Sequence, residues 1–231
     1  MIKLIQKTPE KAVFLSDMDI SLANAIRRSI NEVEILAIDT VDIYKNDSAL
    51  YDHIIAHRIG LIPLKNQKIK QGKEISLKLQ AQGGEVLSKE FGKDVVYEEI
   101  PIVLLEKEQE LEVVAKARIG KGIEHAKFSP GILYYRHYNK IEISKEGEKH
   151  SELAELHPDI FEFDEKLKLK NEYASTLEED DLKDYKGITI KPTEQLVVFI
   201  ESWGQIDAEE IFTESVKAIE DNLKDLEKEL K

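Results

Sequence analysis

Near the start of the chain, Ile2 and Leu4, then Ala12 and Phe14, alternate with polar residues on either side of Thr8-Pro9-Glu10. A period of two around a proline turn predicts two short strands. Asp17, Asp19 and Ser21 follow, with oxygens able to cap a helix. From there the apolar positions Leu22, Ile26, Ile30 and Val33 take helical spacing. Ile35 to Tyr44 is rich in Ile, Val and Thr and predicts a strand. Asn46-Asp47-Ser48 then forms a turn whose side chains can bond the backbone. A second helix is expected from about Leu50, with Leu50, Ile54 or Ile55, Ile59 and Ile62 on its apolar face. Gly60 and Pro63 mark its end.

The middle of the chain reads as strands. Lys73 to Gln82 alternates around Ile75, Leu77 and Leu79, and Gly83-Gly84 is expected to end it. Ile100 to Leu105, Leu111 to Ile119 and Ile132 to Ile143 follow, the last with Tyr134, Tyr135 and Tyr138. Lys145 to Lys186 has sparse apolar residues and a strongly acidic run from Leu177 to Asp184, which predicts small helices and loops on the outside. Gln195 to Trp203 is rich in β-formers, and Gly204 breaks it. Asp207 and Glu210 resemble a capping box.

The last segment is a long helix. Phe212, Val216, Ile219, Leu223, Leu226 and Leu230 step by four, three, four, three and four, a heptad seam. About 24 residues rising about 1.5 Å each give a helix of roughly 36 Å. A seam of this kind packs on the chain's own sheet or on a helix of another chain, and its narrowness favours the second.

Composition narrows the chemistry. The 231 residues carry 46 acidic and 33 basic side chains, a formal charge of −13. Wrapping nucleic acid needs a cationic surplus, so little direct contact with it is expected. There is no cysteine, which excludes disulfides, thiolate zinc sites, cysteine nucleophiles and cysteine-held iron–sulfur clusters. No run of about 18 apolar residues predicts a membrane span. The first residues lack the pattern of a signal peptide, and the chain is expected to stay in the cytoplasm.

Three groups of residues are candidates for chemistry. Asn24, Arg27 and Arg28 lie within one turn of the first helix, with Asn24 and Arg27 on one face. They form either a solvated face or a fork of donors for a partner's carboxylates and carbonyls. His53 and His57 have the i, i+4 spacing of a two-histidine metal site. The glutamate of that motif is missing between them, so structural or surface histidines are expected instead. Gly120-Lys121-Gly122 lacks the Gly-Lys-Ser/Thr that opens a helix in a phosphate loop, and a tight loop carrying a contact surface is expected.

Taken together, the residues resemble the D-subunit family of archaeal RNA polymerase, related to the bacterial alpha subunit and the third-largest eukaryotic polymerase subunit. The resemblance rests on Asn24-Ala25-Ile26-Arg27-Arg28, Asn46-x-Ser48, and Ala56-His57-Arg58-Ile59-Gly60-Leu61-Ile62-Pro63-Leu64. It continues in Gly120-x-Gly122-x-Glu124-His125-Ala126-Lys127, Ser129-Pro130 and Val198-x-x-Glu201-Ser202-x-Gly204.

The resemblance implies an α+β fold with a discontinuous dimerisation domain, a sheet plus long helices, at residues 1–36 and 187–231. It implies an inserted, mainly β domain at 37–144. It implies a non-catalytic subunit with no catalytic residue of its own, pairing with a smaller subunit, L. The seam Phe212, Val216, Ile219, Leu223, Leu226 and Leu230 suits that pairing. With the zinc-binding subunit N, the pair would form a platform for the large catalytic subunits. Asn24, Arg27, Arg28, His57, Arg58, His125 and Lys127 would face those large subunits.

Residues 145–186 would be the remnant of a ferredoxin-like domain that holds an iron–sulfur cluster in some relatives. Without cysteine, no cluster is expected, and no zinc or other cofactor either. His53 departs from the acidic residue the family commonly has beside Asp52. Two other functions compete: a metal-dependent hydrolase built on His53 and His57, and a homodimeric scaffold unrelated to transcription.

Overall fold

The computed structural model describes residues 2–67 and 72–230. The domain ends expected at Met1 and Lys231 lie outside the described residues. Among the described residues, nine strands and four α-helices run in the order β1 (Ile2–Lys7), β2 (Lys11–Ser16), α1 (Ile20–Ser29), β3 (Glu34–Asn46), α2 (Asp52–Gly60), β4 (Ile75–Leu87), β5 (Pro101–Lys121), β6 (Gly131–Ile143), α3 (Glu152–Leu156), β7 (Phe161–Asp164), β8 (Lys166–Leu169), β9 (Ile188–Ser202) and α4 (Ala208–Glu229). The strands form sheets in the orders β1-β2-β9-β6, β3-β5-β4 and β7-β8. Sheets and separate helices make this an α+β fold.

The chain divides into two compact units. One holds Met1–Ile5, Val13–Asp19 and Tyr134–Phe199; the other holds Gln6–Ala12, Ile20–Leu133 and Ile200–Lys231. The expected limits fall elsewhere: 36/37 lies inside β3, and the strands on either side of residues 145–186 share that segment's apolar cluster. In the first unit, Leu153, Ile160, Phe161, Leu167, Leu177 and Leu182 of that segment are buried with Ile141, Ile188 and Ile190. Residues 145–186 thus form short helices, as expected, with the β7–β8 hairpin, and they bury apolar side chains in a cluster shared with β6 and β9. The segment's apolar residues are few but widely spaced, so no local period reveals them.

In the second unit, β5 pairs antiparallel with β3 and β4, in registers such as Ile38↔Ala117 and Leu79↔Val113. Leu111, Val113, Ala115 and Ala117 alternate inward along β5, and α2 lays Ile55 and Ile59 over the same core. The two strands expected at Ile100–Leu105 and Leu111–Ile119 are one strand. Gly83 and Gly84 do not end β4. Both have positive φ (61° and 83°), which glycine adopts without a Cβ clash. They shift the register between Gln82 and Gly84, and pairing resumes at Gly84↔Leu105.

Helix α1 also differs from its expected form. It begins at Ile20, buries Ala23 and Ile26, and leaves Leu22 half in water. The capping box at α4 does not form: Asp207 makes no side-chain cap bond. The Ala208 N–H instead donates to the Pro9 carbonyl at 2.8 Å, meeting the need of a helix start for an acceptor.

Candidate assembly interface

Helix α4 carries two apolar lines. Ala208, Ile211 and Ser215 are fully buried where the helix packs on α1 and the turn Ile30–Glu32. Ser215 is accommodated there because its Oγ donates to the Ile211 carbonyl at 2.7 Å. The seam lies beside this line. Its first members, Phe212, Val216 and Ile219, are half-buried. Its last members, Leu223, Leu226 and Leu230, are 61%, 54% and 79% exposed. Residues 221–230 are exposed throughout. The seam therefore begins against the chain's own body and ends beyond it.

Arg27 and Arg28, in the last turn of α1, line the same groove as Ile219, Leu223 and Leu226. Its volume is about 600 Å³. Arg27 Nε and Nη2 donate to Asn24 Oδ1 at 3.1 and 2.8 Å. Half-buried Asn24 thus holds one guanidinium of an exposed pair, as the shared face predicts. An adjoining groove, which shares Glu32 and Asn222 with the first, is lined by Glu210, Glu214, Asp221 and Asp225 of α4 together with Glu34, Lys121 and Lys217.

His53, His57 and Arg58 lie on α2. His53 and His57 are exposed on α2, and His53 stacks on Tyr51 with ring centroids 5.8 Å apart. Among the described residues, no three His, Cys, Asp or Glu side chains gather as a metal site. Arg58 Nη2 donates to the Pro101 carbonyl at 2.6 Å, fastening α2 to the start of β5. It also lines a groove of about 970 Å³ with Leu50 and exposed Leu104.

The Gly120 loop is held by chemistry the sequence did not announce. Asp39 of β3 accepts from Arg118 Nε at 2.9 Å and from Lys127 Nζ at 2.8 Å. These bonds, Arg118 first, hold its carboxyl below the usual range. Arg118 and Lys127 also lie over the buried Phe128 ring, 4.8 and 5.1 Å from its centroid. A Cβ on Gly120 would sit 2.8 Å from that ring, and one on Gly122 would sit 2.7 Å from Asn31 Oδ1. Both glycines are therefore packing requirements. Lys127, expected to face a large subunit, is committed within the chain. His125 is exposed and caps the turn Ala126–Phe128, its Nδ1 accepting from the Lys127 N–H at 3.1 Å.

Comparison with known proteins decides what this arrangement belongs to. The family model of the RNA polymerase Rpb3/Rpb11 dimerisation domain matches residues 12–223. The chain belongs to the Rpb3/Rpb11 dimerisation-domain family. It is similar to the DNA-directed RNA polymerase subunit Rpo3 of Pyrococcus horikoshii, 38% identical over 171 residues, covering 67% of this chain and 66% of that one. The Rpo3 subunit of Thermococcus kodakarensis is also 38% identical, over 170 residues with the same coverage. The Rpo3 subunit of Archaeoglobus fulgidus is 29% identical over 254 residues, 98% of this chain and 96% of that one. The chain thus spans just under two thirds of the first two relatives. The family match takes in α1, the Gly120 loop and α4 as far as Leu223.

Proposed function

We propose that this chain is a non-catalytic assembly subunit of DNA-directed RNA polymerase that pairs through α4 with a smaller dimerisation-domain subunit, L. One observation carries the reading. In a member of a dimerisation family, a terminal helix runs off the body with Leu223, Leu226 and Leu230 in water. An apolar line of that kind marks a protein interface. With subunit N, the pair would support the large catalytic subunits. Asn24, Arg27, Arg28, His57 and His125 would offer polar contacts, and Arg58 would contribute through the groove it lines.

The cytoplasm is the expected compartment, and no helix among the described residues is long and apolar enough to cross a membrane. No cofactor is assigned to the chain, which has no cysteine thiolate to offer. The test is affinity purification of the tagged chain from its native source, with identification of what accompanies it. Recovery of a small dimerisation-domain subunit together with the large subunits supports the reading. A chain recovered without polymerase subunits, under conditions that keep the enzyme intact, overturns it.

A further inference from the structure

Ile123 is an aliphatic residue at a loop tip with 66% of its surface in water. The loop is tied down on both sides of it. Its N–H donates to the Asn31 carbonyl at 3.1 Å. Before it, Gly122 packs so closely on Asn31 that a Cβ would lie 3.1 Å from the Asn31 Cα. After it, the Glu124 N–H donates to the Lys121 carbonyl at 2.8 Å. The Glu124 carboxylate accepts from the Lys121 N–H at 2.9 Å and from Arg118 Nη1 at 3.0 Å. These bonds hold the Glu124 carboxyl below its ordinary range, the Lys121 backbone bond first. A loop fixed this way carries an apolar side chain outward and into the groove lined by Leu223, Leu226, Arg27 and Arg28.

We propose that Ile123 is a third wall of the pairing groove, packing on the partner helix that covers the distal seam of α4 and helping to select it. This rests on the pairing reading above. The occupant is an amphipathic helix of a second chain whose apolar stripe meets Leu223, Leu226 and Ile123. Its flank toward Arg27 and Arg28 bears carboxylates rather than lysines. The remaining charged group of the groove, Glu32, is paired with Lys121 at 3.4 Å, so the rim is cationic within a chain of formal charge −13. Charges of one sign at a rim favour partners of the other and penalise like ones. Seated there, the partner meets α1, α4 and the Gly120 loop.

The test uses the full chain co-expressed with the small subunit of the same source, comparing Ile123→Asp, Ile123→Ala and Leu223→Asp. Pairing is measured by competition against tagged wild type, and fold by thermal melting of the unpaired chain. Ile123→Asp should weaken pairing at least about tenfold, as a contact residue inside an interface does. Its melt should not change, because the side chain is exposed. Ile123→Ala should weaken pairing less, in the same direction, and decides the matter if the aspartate lowers the melt. Wild-type pairing of both Ile123 variants with failure of Leu223→Asp would overturn this inference and leave the pairing reading standing. Wild-type pairing of all three would overturn the pairing reading itself.

Discussion

Replacing Leu223 with aspartate is the sharpest test of the seam. Burying a whole leucine side chain stabilises by about 1.5–3 kcal/mol. Leu223 is 61% exposed in the free chain, so a partner can gain roughly 1–2 kcal/mol from it. The substitution forfeits that gain and presents a carboxylate to an apolar stripe, which costs about 1–3 kcal/mol more. At about 1.4 kcal/mol per tenfold, the pair's Kd should rise roughly 30-fold to 3,000-fold. Because Leu223 touches water in the free chain, its own fold and melting temperature should not move. The control is Lys224→Ala. Lys224 pairs with Asp221 at 3.0 Å, and removing an exposed pair of that kind should change Kd by no more than about twofold. Competition between tagged wild type and each variant for co-expressed small subunit, read by size-exclusion chromatography with light scattering, gives both ratios. Equal competition by the two variants would mean that the distal seam is not the pairing surface.

Four further outcomes are expected. Gly120→Ala drives a methyl into the buried Phe128 ring; overpacking of about 1–3 kcal/mol should lower Tm by about 2–12 °C, and an unchanged calorimetric Tm would show that the ring yields. Asp39 has a folded pKa lowered by Arg118 and Lys127, so its contribution is full above the unfolded value near about 3.9 and fades as pH falls through the folded value. Urea midpoints should therefore fall more steeply below about pH 4 in wild type than in Asp39→Asn; parallel curves would show that the carboxylate is not coupled to folding. Joint Arg27→Ala and Arg28→Ala removes the cationic flank of the groove, so it should weaken pairing with the small subunit as well as recruitment of the large subunits, the latter by about 2–5 kcal/mol, each measured by competitive reconstitution; unaltered pairing and recruitment would make these arginines a solvated face. Protein purified without a metal-binding tag should contain no stoichiometric zinc or iron, and elemental analysis finding either would point to a site outside cysteine chemistry.

The parts legible in the sequence were those with a short period. The alternation of Leu111, Val113 and Ala115 marks an inward strand face, and the three-four steps of the α4 seam mark a stripe that the structure leaves open at its distal end. What escaped needed distance. Ile211 and Ser215 are the line by which α4 docks on its own chain, yet a serine in a heptad reads as polar, and only its bond to the Ile211 carbonyl permits burial. Asp39 and Lys127 lie 88 residues apart, so no local pattern shows that the lysine is already engaged. Ile123 is one apolar residue in a glycine loop, and its place beside Leu223 depends on its bond to Asn31, a residue that no local pattern marks. The Gly83-Gly84 pair was misread because a bend that keeps its ladder looks, in sequence, like a stop.

The exposure of residues 221–230 has a thermodynamic consequence. Among the described residues this stretch is exposed throughout, and the side-chain pairs along it, Asp221 with Lys224 and Asp225 with Lys228, are solvent-exposed. Short helical segments without tertiary packing are marginal in water, and this one persists as an extension of the docked first half. Fixing it against a partner converts an exposed helical stretch into a covered one, so association should carry a coupled-folding heat-capacity signature. The orphan chain would then exchange amide hydrogens quickly along residues 221–230 and present leucines to any protease or chaperone that reads locally unwound apolar segments. The assembled chain would present neither, so that the supply of this chain could be matched to that of its partner by degradation of the excess alone.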